Sequence, residues 1–163
     1  MDQHELDEEI AAPGAQELLT TTAVAHLAYL GKDGTPRVIP VGFFWTGSQV
    51  IISTADTSPK VAALTARPDV AVSIDGDGPG GARALSVRGR ADVEIVDGVV
   101  EEYLGAARVS MGPEAAAVFE RNVRALYDRM ARIAITPSWA RFHDFGAGRL
   151  PRFLRELIDR NQP

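Results

Sequence analysis

Residues 23 to 54, "AVAHLAYLGKDGTPRVIPVGFFWTGSQVIIST", decide the fold. Two apolar runs lie on either side of Asp33-Gly34, a dipeptide that readily takes the positive φ angles of a tight hairpin turn, so the chain reads there as an antiparallel pair. Thr46 and Gly47 open a second turn, and the β-branched run 50–54 supplies a third strand. Pro40 has no N–H to give a ladder and is expected at a sheet edge or a bulge.

Downstream the period changes. Ser58-Pro59 reads as a helix start, with serine as cap and proline at the first helical position, and Pro68 stops that helix. Val70, Val72 and Ile74 then alternate with Ala71, Ser73 and Asp75, the period of a half-buried strand. A glycine-rich loop follows, and residues 84–96 alternate as a fifth strand with one polar face. Residues 113–131 carry Val118, Phe119, Val123, Leu126, Tyr127 and Met130 on roughly one helical stripe. Residues 132–145, "RIAITPSWARFHDF", close the β part, and a short helix starts near Leu150. Residues 1–15 read as a flexible acidic segment and residues 16–163 as a single domain. Six strands joined mostly by short turns, with few helices, predict a mainly β (α+β) fold built as a small antiparallel barrel.

Composition narrows the function classes. The chain has 163 residues, 45% hydrophobic and 24% charged, which suits one soluble globular domain. No apolar run approaches the roughly 20 residues needed to cross a bilayer, and the acidic N-terminus lacks the features of a signal peptide. A cytoplasmic location without a membrane partner is therefore expected. With no cysteine, disulfides and thiol chemistry are excluded, and a net charge of -5 argues against nucleic acid as a partner.

The densest chemistry lies at residues 54–60, "TADTSPK". A phosphate group takes hydrogen bonds from cations, hydroxyls and the free N–H groups of a helix start. Thr54, Thr57, Ser58 and Lys60 supply all three, and Arg37 joins them if its strand pairs with that of Thr54. The same residues also suit an ordinary capped helix start.

Residues 33–75, from that Asp-Gly hairpin through an arginine-bearing strand, a strand ending in Thr54, Ser58-x-Lys60 and Arg67-Pro68-x-Val70, resemble the flavin-binding split β-barrel family. That family is named after pyridoxamine 5'-phosphate oxidase and includes deazaflavin-dependent reductases. The resemblance implies a six-stranded antiparallel split β-barrel of the FMN-binding type. It implies that Arg37, Thr54, Ser58 and Lys60 hold the cofactor phosphate, and that Ile39, Pro40 and Val41 lie along the ring. It also implies a homodimer with the cofactor at the subunit seam, where Arg88, Arg90 or Trp139 reach across. The cofactor is then FMN, for which the phosphate set suffices, or the deazaflavin coenzyme F-420. The implied activity is hydride transfer between that cofactor and a small unsaturated or aromatic substrate; the alternative is a flavin, deazaflavin or haem carrier without catalysis. Two departures argue against vitamin B6 chemistry: Pro59 stands where those oxidases tend to carry arginine, and Phe145 replaces the last arginine of their C-terminal Arg-x-His-Asp-Arg.

Other residue types contribute less. Imidazole is the side chain suited to proton donation at neutral pH, which makes His26 and His143 candidates, but His26 reads as a hydrogen-bonded structural residue of an apolar strand. The run 75–78, "DGDG", begins like a calcium loop, yet its twelfth position is Ser86 where a bidentate glutamate is needed. Trp45 and Trp139 suit packing as well as ring stacking.

Overall fold

The computed structural model describes residues 1–161. Two helices open it, α1 (Gln3–Ala11) and α2 (Pro13–Thr21). The Asp2 carboxylate accepts the Glu5 N–H at 2.9 Å while the Glu5 carboxylate accepts the Asp2 N–H at 3.0 Å, a reciprocal cap that starts α1. Pro13, at the first position of α2, loses no helical bond. Residues 1–15, expected as a flexible acidic segment, are therefore helical and packed. The acidic residues that dominate the composition mostly line the solvent side, whereas Leu6, Ala15, Leu18 and Leu19 enter the main core. Arg83 ties α2 down, donating to Glu17 at 2.6 Å and to the buried Asp144 at 2.8 Å.

The strands follow as β1 (Val24–Leu30), β2 (Pro36–Gly42), β3 (Phe44–Trp45) and β4 (Val50–Ala55), then helix α3 (Pro59–Ala66), then β5 (Asp69–Gly78) and β6 (Gly81–Asp97). Helices α4 (Glu101–Ser110) and α5 (Pro113–Leu126) precede β7 (Arg129–Asp144), and α6 (Arg152–Arg160) comes last. All pairings are antiparallel in one curled sheet of order β2-β1-β5-β6-β7-β4-β3. Six expected strands become seven because Phe44 and Trp45 pair with Ile51 and Val50 as a short strand of their own. The hairpin turn has Gly34 at φ 77°, and β2 is an edge strand, where Pro40 can lack a donor.

The long β6–β7 ribbon organises the rest. Its first half is flanked by β5 and its far half by β4. The register slips between Arg88 and Gly89, where Ser138 is the unpaired extra residue. A side chain at position 89 would collide with the Thr136 carbonyl oxygen, so glycine is required for that close approach. Leu27, Val72, Ile74, Leu85, Val87, Ile133 and Ile135 form the main core, and Val99, Val100, Leu104, Val123 and Met130 a smaller one beneath α4 and α5.

The helix expected over 113–131 ends at Leu126. Met130 belongs to β7 and is fully buried there, while Val118 and Leu126 are exposed, so only Phe119, Val123 and Tyr127 of the expected stripe pack inward. Helix α4 has no counterpart in the sequence reading. Among the described residues no helix is long and apolar enough to cross a membrane.

Candidate functional site

Thr54 sits near the end of β4 opposite Ala131, and four residues on the chain enters α3 through Ser58 and Pro59. The Ser58 backbone caps the helix, but its hydroxyl makes no capping bond. Instead it accepts from Lys60 Nζ at 2.9 Å, and Thr54 Oγ1 accepts from the same nitrogen at 3.3 Å. Lys60 is half-buried, and burial pushes its pKa below the usual lysine value. It pairs with no carboxylate among the described residues; the nearby Asp56 is taken by Arg129 at 2.8 Å. The result is a cation held by two hydroxyls beside a helix start, with its charge uncompensated.

Arg37 does not join this group. β2 pairs with β1 and forms no ladder with β4, so Arg37 stands opposite Tyr29. Its guanidinium donates to Asp33 at 2.8 Å and to the Thr35 hydroxyl, which locks the hairpin turn. Asp33 is held down to about 2 by the Thr35 N–H first, then by the Thr35 hydroxyl and Arg37.

Strand alternation also divides Ile39, Pro40 and Val41. Ile39 and Val41 pack partly against the main core, and Pro40 points to the opposite, exposed face. Three such side chains cannot line one ring surface together; what β2 offers is the free backbone side of an edge strand.

Arg88 and Trp139 do come together. They are cross-strand partners just before the bulge, and Arg88 Cζ lies 3.9 Å from the Trp139 ring centroid, a cation–π contact. They share with His26, Ala28, Val38 and Ala71 a shallow, mostly apolar cavity of about 360 Å³ on the outer face of the sheet. His26, expected as a hydrogen-bonded structural residue, is exposed there with its Nδ1 3.5 Å from Asp75. Arg90 lies beyond the bulge and pairs with Asp69 at 3.0 Å, so the two arginines of "RGR" serve different surfaces. Trp45 packs on the core.

A second cationic group escaped the sequence reading. Arg141, Arg149, Arg152 and Arg155 converge around the buried Glu9 at the far end of β7. Burial, then Arg141, pushes the pKa of the adjacent His143 below its usual value. The only sequence signal was arginine at every third position from 149 to 155, which also suits a solvated helix. Among the described residues no cluster of histidine and acidic side chains could hold a metal ion.

The Thr54–Ser58–Lys60 corner suits a single phosphate: one cation, two hydroxyls and the N–H groups of the α3 start. The profile of the pyridoxamine 5'-phosphate oxidase family matches residues 12–144. An F-420 reductase of known structure is 29% identical, with a TM-score of 0.60 over 80% of this chain and 98% of that one. An FAD-binding protein from Mesorhizobium loti is 20% identical, with a TM-score of 0.53 over 78% of this chain and 87% of that one. A haem-binding protein from Mycobacterium smegmatis is likewise 20% identical, with a TM-score of 0.56 over 86% of this chain and 57% of that one. At those identities the last two show a shared fold only. No curated protein matches the sequence.

Proposed function

Because the chain belongs to the pyridoxamine 5'-phosphate oxidase family, we propose that it is an oxidoreductase that binds a flavin-type cofactor by its phosphate at Thr54, Ser58 and Lys60. The observation that carries this reading is Lys60, a half-buried cation bonded to two hydroxyls and to no carboxylate among the described residues. A desolvated charge of that kind is costly unless an anion completes it. When bound, the cofactor supplies the hydride chemistry. The protein anchors the phosphate, orients the ring along the free edge of β2, and keeps Arg37 in the hairpin turn that shapes that edge.

FMN is the cofactor this site serves most simply, since one phosphate satisfies it. The substrate class is a small unsaturated or aromatic molecule, outside vitamin B6 chemistry, given Pro59 and Phe145. Coenzyme F-420 is a second reading, supported by the similarity to an F-420 reductase. A homodimer forms part of the proposal: Val24, Leu30 and Val38 are exposed on the same outer face as the Arg88–Trp139 pair, a surface that a second copy would cover.

Spectroscopic titration of the purified protein with FMN, F-420 and haem in parallel tests the reading. Saturable binding of FMN or F-420, weakened about tenfold or more in Lys60→Ala, is the expected result. Binding of haem alone, or flavin binding indifferent to Lys60, would overturn it.

A further inference from the structure

Beyond residue 144, where the family match ends, the chain builds a cavity that the proposed flavin chemistry does not use. The turn after β7 brings Arg149 back against Asp144, with backbone bonds of 3.1 and 2.8 Å in the two directions, and α6 then starts at Arg152. The space is about 450 Å³, opens to solvent on the α6 side, and is lined chiefly by Glu9, Arg141, His143, Arg149, Arg152 and Arg155.

The charges do not balance. Glu9, 7% exposed, accepts the Phe142 N–H at 2.7 Å, Arg141 at 2.9 Å and Arg149 at 2.6 Å. One carboxylate thus serves two guanidiniums and fixes their direction. Arg152 reaches Glu156 at 2.6 Å in an exposed pair of the kind that contributes little. Arg155 makes no ion pair among the described residues. Among the described residues, four guanidiniums against two carboxylates leave an excess of positive charge in a protein whose net charge is -5. Burial first, then Arg141 and, less, Arg149, push the His143 imidazole toward its neutral form, against the opposing pull of Glu9.

We propose that this cavity binds a compact polyanionic group of a small molecule, a phosphate or clustered carboxylates, gripped by Arg149, Arg152 and Arg155. Guanidinium forks match both oxyanions bidentately, and the N–H groups at the start of α6 add to the same pole. The site is distinct from the Lys60 corner within one chain. Thr54 faces Ala131 on β7, and Arg141 lies ten positions further along that strand, roughly 30 Å of extended chain.

Calorimetric titration of the full chain with pyrophosphate and, separately, with a triglutamate peptide tests the proposal. At least one probe should bind saturably, and Arg152→Ala/Arg155→Ala should weaken it about tenfold or more, while Lys60→Ala leaves it unchanged. Both replaced side chains project from the first turns of α6, whose residues make no part of either core, so the double variant retains its fold. Pyrophosphate alone would identify a phosphate site and triglutamate alone a carboxylate site. In the same samples the His143 imidazole resonances should titrate at higher pH once the probe is bound, and not in the double variant. Absence of saturable binding, binding that survives the double variant, or binding lost equally in Lys60→Ala would each overturn the proposal. The last two outcomes leave the cofactor reading to be judged on its own titration.

Discussion

The two cationic regions of this molecule are built in opposite ways. At the Lys60 corner one ammonium meets two hydroxyls within seven residues of sequence, and no carboxylate of the described residues shares its charge. At the far end of β7 four guanidiniums are gathered from β7, the following turn and α6 around a glutamate from α1. The first region leaves its charge without a carboxylate partner among the described residues, at some cost in stability, which is why it is proposed to take one anion. The second binds the N-terminal helix to the sheet as well as carrying excess charge, so structure and recognition are joined there and separate at Lys60.

The largest expected effect breaks the second region. Glu9→Ala leaves the Phe142 N–H without its partner and Arg141 and Arg149 without their counter-ion. Because both arginines stay partly solvated, the loss should be about 2 to 3 kcal/mol, below the full figure for a buried pair. Urea unfolding should show a lower midpoint with an unchanged slope. A midpoint equal to that of the parent protein would mean that α1 is not anchored through Glu9.

Lys60→Ala should do the reverse. Flavin affinity should fall by about 1.5 to 3 kcal/mol, while stability holds or rises because a partly desolvated cation has gone. A clear drop in thermal midpoint would show that the lysine serves the fold and would remove the contrast between the regions.

The pH and salt responses sharpen the comparison further. Burial places the folded pKa of Lys60 below the unfolded value of 10.5. Between those two values the unfolded chain holds more protons, so the Lys60 contribution to stability rises with pH across that alkaline window. Affinity for the cofactor phosphate should fall across the same window. His143 also has a folded pKa below its usual 6.5, owing to burial first and Arg141 second. Its contribution is complete above 6.5 and declines as pH falls through the window below. Added salt should raise the His143 value by screening the arginines and leave Lys60 nearly unmoved, since its shift comes from burial. Proton titrations followed by NMR at two ionic strengths would decide this, and equal salt responses would refute the assignment of causes.

The smallest effect belongs to Arg37. Its exposed pair with Asp33 holds a turn that Gly34 already favours, so Arg37→Ala should change stability by less than about 1 kcal/mol. Flavin affinity should change far less than in Lys60→Ala, and an equal loss would place Arg37 on the phosphate after all.

Legibility followed the range of the forces involved. The Asp33-Gly34 hairpin and the Ser58-Pro59 helix start could be read because turn conformation and capping are settled by neighbouring residues. The end of α5 was misjudged because Met130 fits a helical stripe as well as a strand, and only pairing with Val96 and Ala55 selects the strand. Helix α1 was hidden by acidic composition, and of α2 only a turn at residues 16–20 could be read, since composition says little about apolar residues that find a sheet to cover.

By itself, the sequence determined the antiparallel strands, their turns and the Thr54, Ser58 and Lys60 set, since alternation, φ preferences and bonds between close neighbours are local. Tertiary structure alone decided that β2, already paired with β1 by the hairpin, forms no ladder with β4, which leaves Arg37 at the turn, and that β7 lies between β6 and β4. It also decided that Glu9 meets Arg141 and Arg149 across more than 130 residues, as strand order and helix docking depend on apolar burial shared by the whole chain.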